Sequence, residues 1–515
     1  MTEEKVSNQI TITNTRSQIK EELPITATID LDQQLSFHVD GYLHSYRYRS
    51  GNWDGKRHLY NRHSQTFPTG LLSKVTTILQ QHHIRFSLDD RRTIPDYGSK
   101  ISLRKIKLRP YQQEVLTAMT SAERGVIKCC TGSGKTAMIA ALIAHYNVPT
   151  IIYVTTKDLL YQMKDNLSEY IRLSIGQIGD GKVILRKVTV STIQSAVKYT
   201  GTKYKAQEYE SSEDIDNTFT DSVQQTLNEA QMIIFDECHH VRAESLQTIA
   251  KYSTNAYYRW GASATPFREE DDDLLIEAQL GNTAIEIPAS RLIEEKYLVP
   301  ATITYLYCGR SDQRGQYQKI YKEHIVHNDK RNGMVCDVVE KLTNEKRPTL
   351  VLVHERDEHG QQLCEMLTQR NIPTMFVHGL LNSSTRSKLL TRMRKGEVAC
   401  CILTSLGDEG LDLPPVSGLV LAGAGKSRTK ILQRVGRALR PYEGKQDAQI
   451  YDFIDDHPYL LDHSIQRIIT LKTEPLFKVR IAINDRVKEI ISQKRRLKQL
   501  LKERSNDTSN SANKD

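Results

Sequence analysis

Two series of short apolar runs, each run followed by a helix-like stretch, limit this chain to one class of architecture. The first series is "RGVIKCC", "TIIYVTT", "KVTVST", "QMIIFDE" and "YRWGASAT"; the second, from near residue 300, is "RPTLVLVHE", "IPTMFVHG", "VACCILTS", "VSGLVLAGA" and "AQIYDFID". Alternation of this kind implies βαβ units and parallel sheets. The reading is therefore α/β, with two domains of parallel sheet flanked by helices at 98–297 and 298–484. Residues 25–97 mix β-rich stretches ("PITATIDLD", "LSFHVDGYL") with a helix, "GLLSKVTTILQQHH", and read as a small α+β domain in front. Residues 1–24 are polar and expected to be frayed. The acid-rich stretch 203–230 reads as a surface insertion, and 485–515 as a basic amphipathic helix with a disordered tail.

With 515 residues, the chain exceeds what one hydrophobic core organises. No apolar run approaches the ~18 residues that span a bilayer, so no membrane partner is expected. "MTEEKVSNQI" lacks the basic-then-apolar pattern of a secretory signal. The eight cysteines are scattered, with no C-x-x-C, which fits a reducing, cytoplasmic setting and no structural zinc. Formal net charge is +9, which permits a polyanionic partner. Residues 478–504 hold ten Lys or Arg against three acids (10 − 3 = +7).

"CCTGSGKT" follows the apolar run "GVIK" and precedes the apolar helix "AMIAALIAHY". Strand, glycine-rich loop and helix in that order make a phosphate cradle. Across Thr131–Thr136, Gly132 and Gly134 let the backbone N–H groups, Ser133 included, turn toward phosphate oxygens. Lys135 reaches the β- and γ-phosphates, and Thr136 offers a hydroxyl to Mg²⁺. Cys129 stands where the strict pattern has its first glycine. A second Gly-Lys-Ser, "GAGKSR" at 423–428, lacks the leading glycine, since Val420 takes that place, and reads as a decoy.

"IIFDECHHVR", 233–242, packs two carboxylates, a cysteine and two histidines together. Zinc needs better-separated ligands than Cys238, His239 and His240 provide. Asp236 and Glu237 instead end an apolar strand about a hundred residues after the cradle. A nucleotide hydrolase needs one carboxylate for Mg²⁺ and another to orient and deprotonate the attacking water.

"DECH" together with "TGSGKT", "SATP" and "QRVGRALR" resembles the motif set of the superfamily 2 helicases and translocases, in the family's order and across both α/β domains. The resemblance implies two RecA-like lobes with ATP and Mg²⁺ between them. It implies that Arg109, Tyr111 and Gln112 in "LRPYQQ" read adenine. Asp236 would hold the metal through water, with Glu237 as catalytic base. His239, Ser263, Ala264 and Thr265 would couple the ATP site to the nucleic-acid surface. In "TSLGDEGLD", Gly410 and Asp412 would lie near the nucleotide, while Thr155 and Thr404 would lie near the strand. Arg437 and Arg440, three apart on a helix and sharing one face, can both reach a γ-phosphate, assisted by Gln433.

"TPFREEDDDLLI" resembles the corresponding sequence, here Arg268, Glu269 and Glu270, of helicases related to XPB. "GYLHSYRYRSGNWDGKRHLYN" interleaves Tyr42, Tyr46, Tyr48, Trp53 and Tyr60 with Arg47, Arg49, Lys56 and Arg57. Aromatics of this kind either stack on unpaired bases beside phosphate-binding cations or pack inward around an Asp54–Gly55 turn. The stretch also resembles the front domain of the phage UvsW-type recombination helicases. That resemblance implies a monomeric motor acting on branched or duplex DNA with single-stranded regions, with Trp53, Lys56 and Arg57 among its contacts. If the chain is phage-encoded, the setting is the host cytoplasm. An RNA-directed DExH protein is the alternative. The basic helix 485–504 either grips phosphates or packs its Ile490, Leu497 and Leu501 stripe on the second lobe.

Overall fold

The computed structural model describes residues 8–482 except 40, 202–216, 242, 265–272, 379–380, 382, 396, 405–412, 414, 424 and 426. Thr265, Arg268, Glu269, Glu270, Gly410, Asp412, Lys426 and the basic stretch 485–504 thus lie outside the described residues. The chain divides into two compact units, Met1–Pro288 and Ala289–Asp515. The break falls ahead of the expected 297, because Ser290 binds Glu474: its N–H and hydroxyl donate to Glu474 Oε2 at 3.1 and 2.8 Å.

In the first unit, the front domain begins earlier than the sequence suggested. Asn8–Ile12 and Arg16–Ile19 are strands, not frayed chain, in a four-stranded sheet ordered Thr66–Pro68, Arg16–Ile19, Asn8–Ile12, Phe86–Asp90. Polar residues dominate this stretch, but Ile10, Ile12 and Ile19 are fully buried, and those three side chains are enough to anchor it. "PITATIDLD" is a second correction. Its β-branched residues suggested a strand, yet Ile25–Gln34 is a helix that buries Ala27, Leu31 and Asp32 on one face. Burial at helical spacing overrides intrinsic β-propensity here. Asp32 Oδ1 lies 2.8 Å from His58 Nδ1, which ties the helix to the strand Lys56–His58.

The front domain does not own all of its core. Leu275 and Ala278 pack among Ile10, Leu31, Leu71 and Val75, and they come from the helix Asp273–Leu280, two hundred residues downstream. At the join, a Cβ on Gly70 would sit 2.1 Å from the Glu277 carbonyl oxygen and 2.6 Å from that of Ala278. Neither is a flexible side-chain end. Gly70→Ala is expected to destabilise the first unit by about 1–3 kcal/mol through overpacking, seen as a lower urea midpoint with an unchanged slope.

The main sheet of this unit has eight strands. Their order is Lys182–Ile184, Ile175–Gly179, Val188–Thr192, Thr150–Val154, Met232–Phe235, Tyr258–Ser263, Arg124–Cys129, Thr283–Ile287. All neighbours are parallel except the first pair. "TIIYV" and "MIIF" are buried at every position, as a parallel sheet covered on both faces requires. The supposed insertion is partly core: the helix Thr220–Glu229 buries Val223 and Leu227 against this sheet.

The second unit holds a seven-stranded parallel sheet, ordered Thr374–Val377, Cys400–Leu403, Thr349–Leu352, Gly418–Val420, Ala448–Asp456, Ala301–Arg310, Lys478–Ala482. Two buried ion pairs cross its interior, Arg331–Asp455 at 2.8 Å and Arg467–Asp452 at 2.7 Å. Both arginines also grip the loop after Gly418–Val420. Arg331 donates to the Ala422 carbonyl, Tyr321 to that of Gly423 and Arg467 to that of Gly425, each at 2.7 Å. This is the decoy "GAGKSR". The loop presents carbonyl acceptors to protein donors, the reverse of a phosphate cradle.

Candidate active site

The strand Arg124–Cys129 runs into the cradle, and the helix Lys135–Tyr146 leaves it. Cys129 is the last strand residue, so the missing first glycine falls where extended backbone suffices. Its buried thiol is pushed up to about 12 by desolvation. Gly132 and Gly134 have φ of 90° and 79°, in the left-handed region that favours glycine. A Cβ on Gly134 would also come 2.6 Å from Gln112 Nε2.

Tyr111 and Gln112 hold this loop from behind. The Tyr111 hydroxyl donates to the Ser133 carbonyl at 2.7 Å, and Gln112 Nε2 donates to the same oxygen at 2.9 Å. Gln112 Oε1 accepts the Arg109 N–H at 2.9 Å, closing the first turn of the helix Pro110–Ser121. Tyr111 is fully buried. In this state both side chains buttress the cradle, a role their spacing alone did not suggest.

Lys135 Nζ lies 3.0 Å from Glu237 Oε1 and 3.4 Å from the Cys129 carbonyl. Burial opposes the ammonium charge, but Glu237 and Asp236 outweigh it and raise the Lys135 pKa. The two carboxylates are driven apart. Burial, then the adjacent Glu237 charge, pushes Asp236 up, whereas for Glu237 the pull of Lys135, His239 and His240 overcomes burial and holds it low. Glu237 itself has φ 49° and ψ 47°, a left-handed conformation that costs a non-glycine residue on the order of 1 kcal/mol. His239 Nδ1 sits 2.8 Å from Ser263 Oγ, and the Ala264 N–H points at Glu237 Oε2 from 3.4 Å. The members of "DECHH" thus diverge: Glu237 to Lys135, Cys238 into the core, His239 to Ser263.

Do these residues fit a nucleotide with a divalent cation? Thr131 Oγ1 and Ser133 Oγ are buried without a partner among the described residues, and both belong to the cradle. Beside them stand the Lys135 ammonium, the Thr136 hydroxyl and two carboxylates at a sheet's C-terminal edge. That donor and acceptor set suits phosphates and Mg²⁺.

Thr155 follows the strand Thr150–Val154, and its carbonyl accepts from Gln194 Nε2 at 3.0 Å. Gln194 went unnoticed because a lone glutamine in a helix carries no spacing signal. In the second unit, Thr404 is buried at the end of Cys400–Leu403. Gln433 is buried on the helix Arg428–Ala438, which Ser427 caps by accepting the Lys430 N–H. Arg437 lies in the helix's last turn, but Arg440 lies beyond its end. The single helical face expected for the two is therefore corrected. Pro441 follows Arg440, and a residue before proline is disfavoured in α conformation.

Lys445 fixes that bend by donating to the Arg440 carbonyl at 2.8 Å and the Val416 carbonyl at 2.5 Å. Desolvation, then the Arg440 charge, pushes Lys445 down to about 7. Above that pH the folded chain holds a neutral amine, while the unfolded chain stays protonated to about 10.4. The unfolded state then binds more protons, so this residue's contribution to stability rises with pH from 7 to 10. In urea melts at pH 6.5 and 9, Lys445→Met should remove that rise, worth at most about 1.4 kcal/mol per pH unit.

In the front domain, Trp53 is half-buried and its indole N–H donates to the Lys56 carbonyl at 2.8 Å. The Arg57 guanidinium donates to Gln247 Oε1 of the helix Ala243–Tyr252, so it serves the junction with the main sheet. Tyr60 is core.

Three family models match the chain: the res subunit of type III restriction enzymes over 105–268, the helicase conserved C-terminal domain over 330–442, and the N-terminal domain of the DNA helicase UvsW over 15–89. ATP-dependent DNA helicase uvsW of Enterobacteria phage T4 is 24% identical over 494 residues, covering 85% of this chain and 92% of the relative. DNA 3'-5' translocase XPB2 of Sulfurisphaera tokodaii is 26% identical over 375 residues, covering 65% and 79%. Among solved structures, the ATP-dependent type ISP restriction-modification enzyme LlaBIII bound to DNA aligns with a TM-score of 0.52 at 13% identity, over 74% of this chain and 32% of that one. This last likeness is one of fold, that of the two-lobe RecA-like helicases. The cradle with its acid pair, the arginine-bearing helix and most of the front domain fall within the three matched segments in turn, and the chain is a superfamily 2 helicase related to UvsW.

Proposed function

We propose that this protein is an ATP-driven DNA motor that remodels branched DNA, regressing forks and migrating four-way junctions. One observation carries the reading. The front domain, matched by the UvsW N-terminal model over 15–89, shares its core with the helix that follows Ser263 and Ala264 in the chain. The family implies ATP use. The backbone of Gly132–Lys135, with Lys135 and Thr131, would hold the phosphates, and Thr136 with Asp236 the Mg²⁺. When bound, the metal neutralises charge that develops on the transferred phosphoryl group. Glu237 would take the proton of the attacking water once the ligand has drawn Lys135 off it.

His239 and Ser263 would report the state of Glu237 to the nucleic-acid surface, and Arg437 and Arg440 would stabilise transition-state charge. The test is ATP-dependent processing of synthetic forks and four-way junctions, with linear DNA and RNA duplexes alongside and Lys135→Ala and Glu237→Gln as controls. Junction processing that both substitutions abolish supports the proposal. Activity on RNA alone, or hydrolysis that junctions leave unstimulated, overturns it.

A further inference from the structure

The front domain carries a stretch from Gly41 to Asn61 with four Lys or Arg against one acid, Asp54. Its five aromatic side chains have different fates. Tyr60 is core. Tyr42 stacks on His38 with centroids 4.4 Å apart, takes the edge of Tyr48 at 4.8 Å, and lies so close to Gly55 that a Cβ there would meet its ring at 2.3 Å. These contacts make an inner stack that props up the excursion. Tyr46 is left outside it, 82% exposed, at the start of the short helix Tyr46–Arg49. An isolated exposed leucine would mean little, but an exposed tyrosine beside a fixed tryptophan and an arginine is different.

Tyr46, Arg47, Asn52 and Trp53, with Ser45, line a solvent-open cavity of about 640 Å³. The Trp53 indole is held by its bond to Lys56, so its ring is a rigid plate. Arg47 is exposed and has no ion-pair partner among the described residues. Asp54 is turned away from it, on His58 Nε2 at 2.9 Å and the Lys56 N–H at 3.0 Å. Arg47 is thus the charged side chain among the five residues that line the cavity.

We propose that this cavity takes an unpaired nucleobase of the DNA substrate, stacked between Tyr46 and Trp53, with Arg47 on the adjoining phosphate and Asn52 on the base edge. Stacking on aromatics tolerates any base, because every base has a π-face. The site rests on the DNA reading proposed above and narrows it to the single-stranded arm of a branch. It also moves the phosphate contact from Arg57, whose guanidinium braces the main-sheet junction, to Arg47, and adds Tyr46 beside Trp53.

The test uses the full chain and an oligothymidylate probe. Trp53 reports binding, because the other tryptophan, Trp260, is fully buried. Its emission should change on adding the oligonucleotide and not on adding blunt duplex. Tyr46→Ala, at an exposed position, should weaken oligonucleotide binding about tenfold or more, while Tyr46→Phe, which keeps the ring, stays within about twofold of the unsubstituted protein. Arg47→Gln should lower the salt slope by about one. Unaltered oligonucleotide affinity in Tyr46→Ala, or an equal Trp53 response to blunt duplex, overturns the site. If forks still stimulate hydrolysis in that case, the motor reading stands without it; if no DNA stimulates hydrolysis at all, the motor reading fails first.

Discussion

Glu237→Gln is expected to slow ATP hydrolysis by about 10²–10⁴-fold, the usual contribution of a positioned general base, and at the same time to tighten nucleotide binding. The second half follows from the Lys135–Glu237 pair at 3.0 Å. Without nucleotide, the ammonium that should meet phosphate is held by the base that should meet water. A ligand must draw Lys135 off Glu237, and a neutral amide gives up that hold more easily. Glutamine keeps the side chain's size and adds nothing to the left-handed backbone cost already present at 237. Lys135→Ala should act in the opposite sense, losing nucleotide affinity and hydrolysis together. Equilibrium nucleotide titration beside single-turnover hydrolysis separates the two, and a Glu237→Gln protein that hydrolyses within tenfold of the unsubstituted rate would remove Glu237 from the chemistry.

The second large effect is expected at Arg437. Arginine fingers supply about 10³–10⁵ in rate, so Arg437→Ala should lose hydrolysis on that scale while retaining nucleotide binding by the first unit. Arg437→Lys should recover little, because an ammonium lacks the planar fork that grips two phosphate oxygens. Arg440→Ala should follow the same pattern. The two sites are held differently, though: Arg437 by the helix capped at Ser427, Arg440 by a bend that Lys445 fastens. Loosening Lys445 should therefore lower hydrolysis through Arg440 alone, with Arg437 substitutions adding to the loss. A Lys445→Met protein with full activity would show that the bend needs no fastening.

The parts of this molecule legible in its sequence are those whose physics is local. Parallel strands buried on both faces write themselves as "TIIYV" and "MIIF", and a loop that binds phosphate writes itself in glycines. The acid pair was legible too, because a strand must end where its ligands gather. What stayed hidden depends on partners distant in the chain. Asn8–Ile12 looks polar until it pairs with both Arg16–Ile19 and Phe86–Asp90. The helix Ile25–Gln34 looks like a strand until Ala27 and Leu31 find the front-domain core. Tyr111 and Gln112 were expected to read adenine; that they also hold the Ser133 carbonyl was hidden, since nothing local to "LRPYQQ" says that its side chains will meet Ser133, more than twenty residues on.

The front-domain core that borrows Leu275 and Ala278 also sets an order of events during synthesis. Residues 8–90 are made well before residue 275, but their apolar cluster is not complete until the chain has grown past residue 278. Contacts of such wide sequence separation form late, after their loop-closure cost is met. A nascent chain halted before the second unit is made, yet after Leu280, would hold everything the front domain needs. One halted at the end of the cradle helix would carry an exposed apolar face, open to chaperones and to aggregation. The small domain comes first in sequence, but it is finished only when the ATP-binding sheet nears completion.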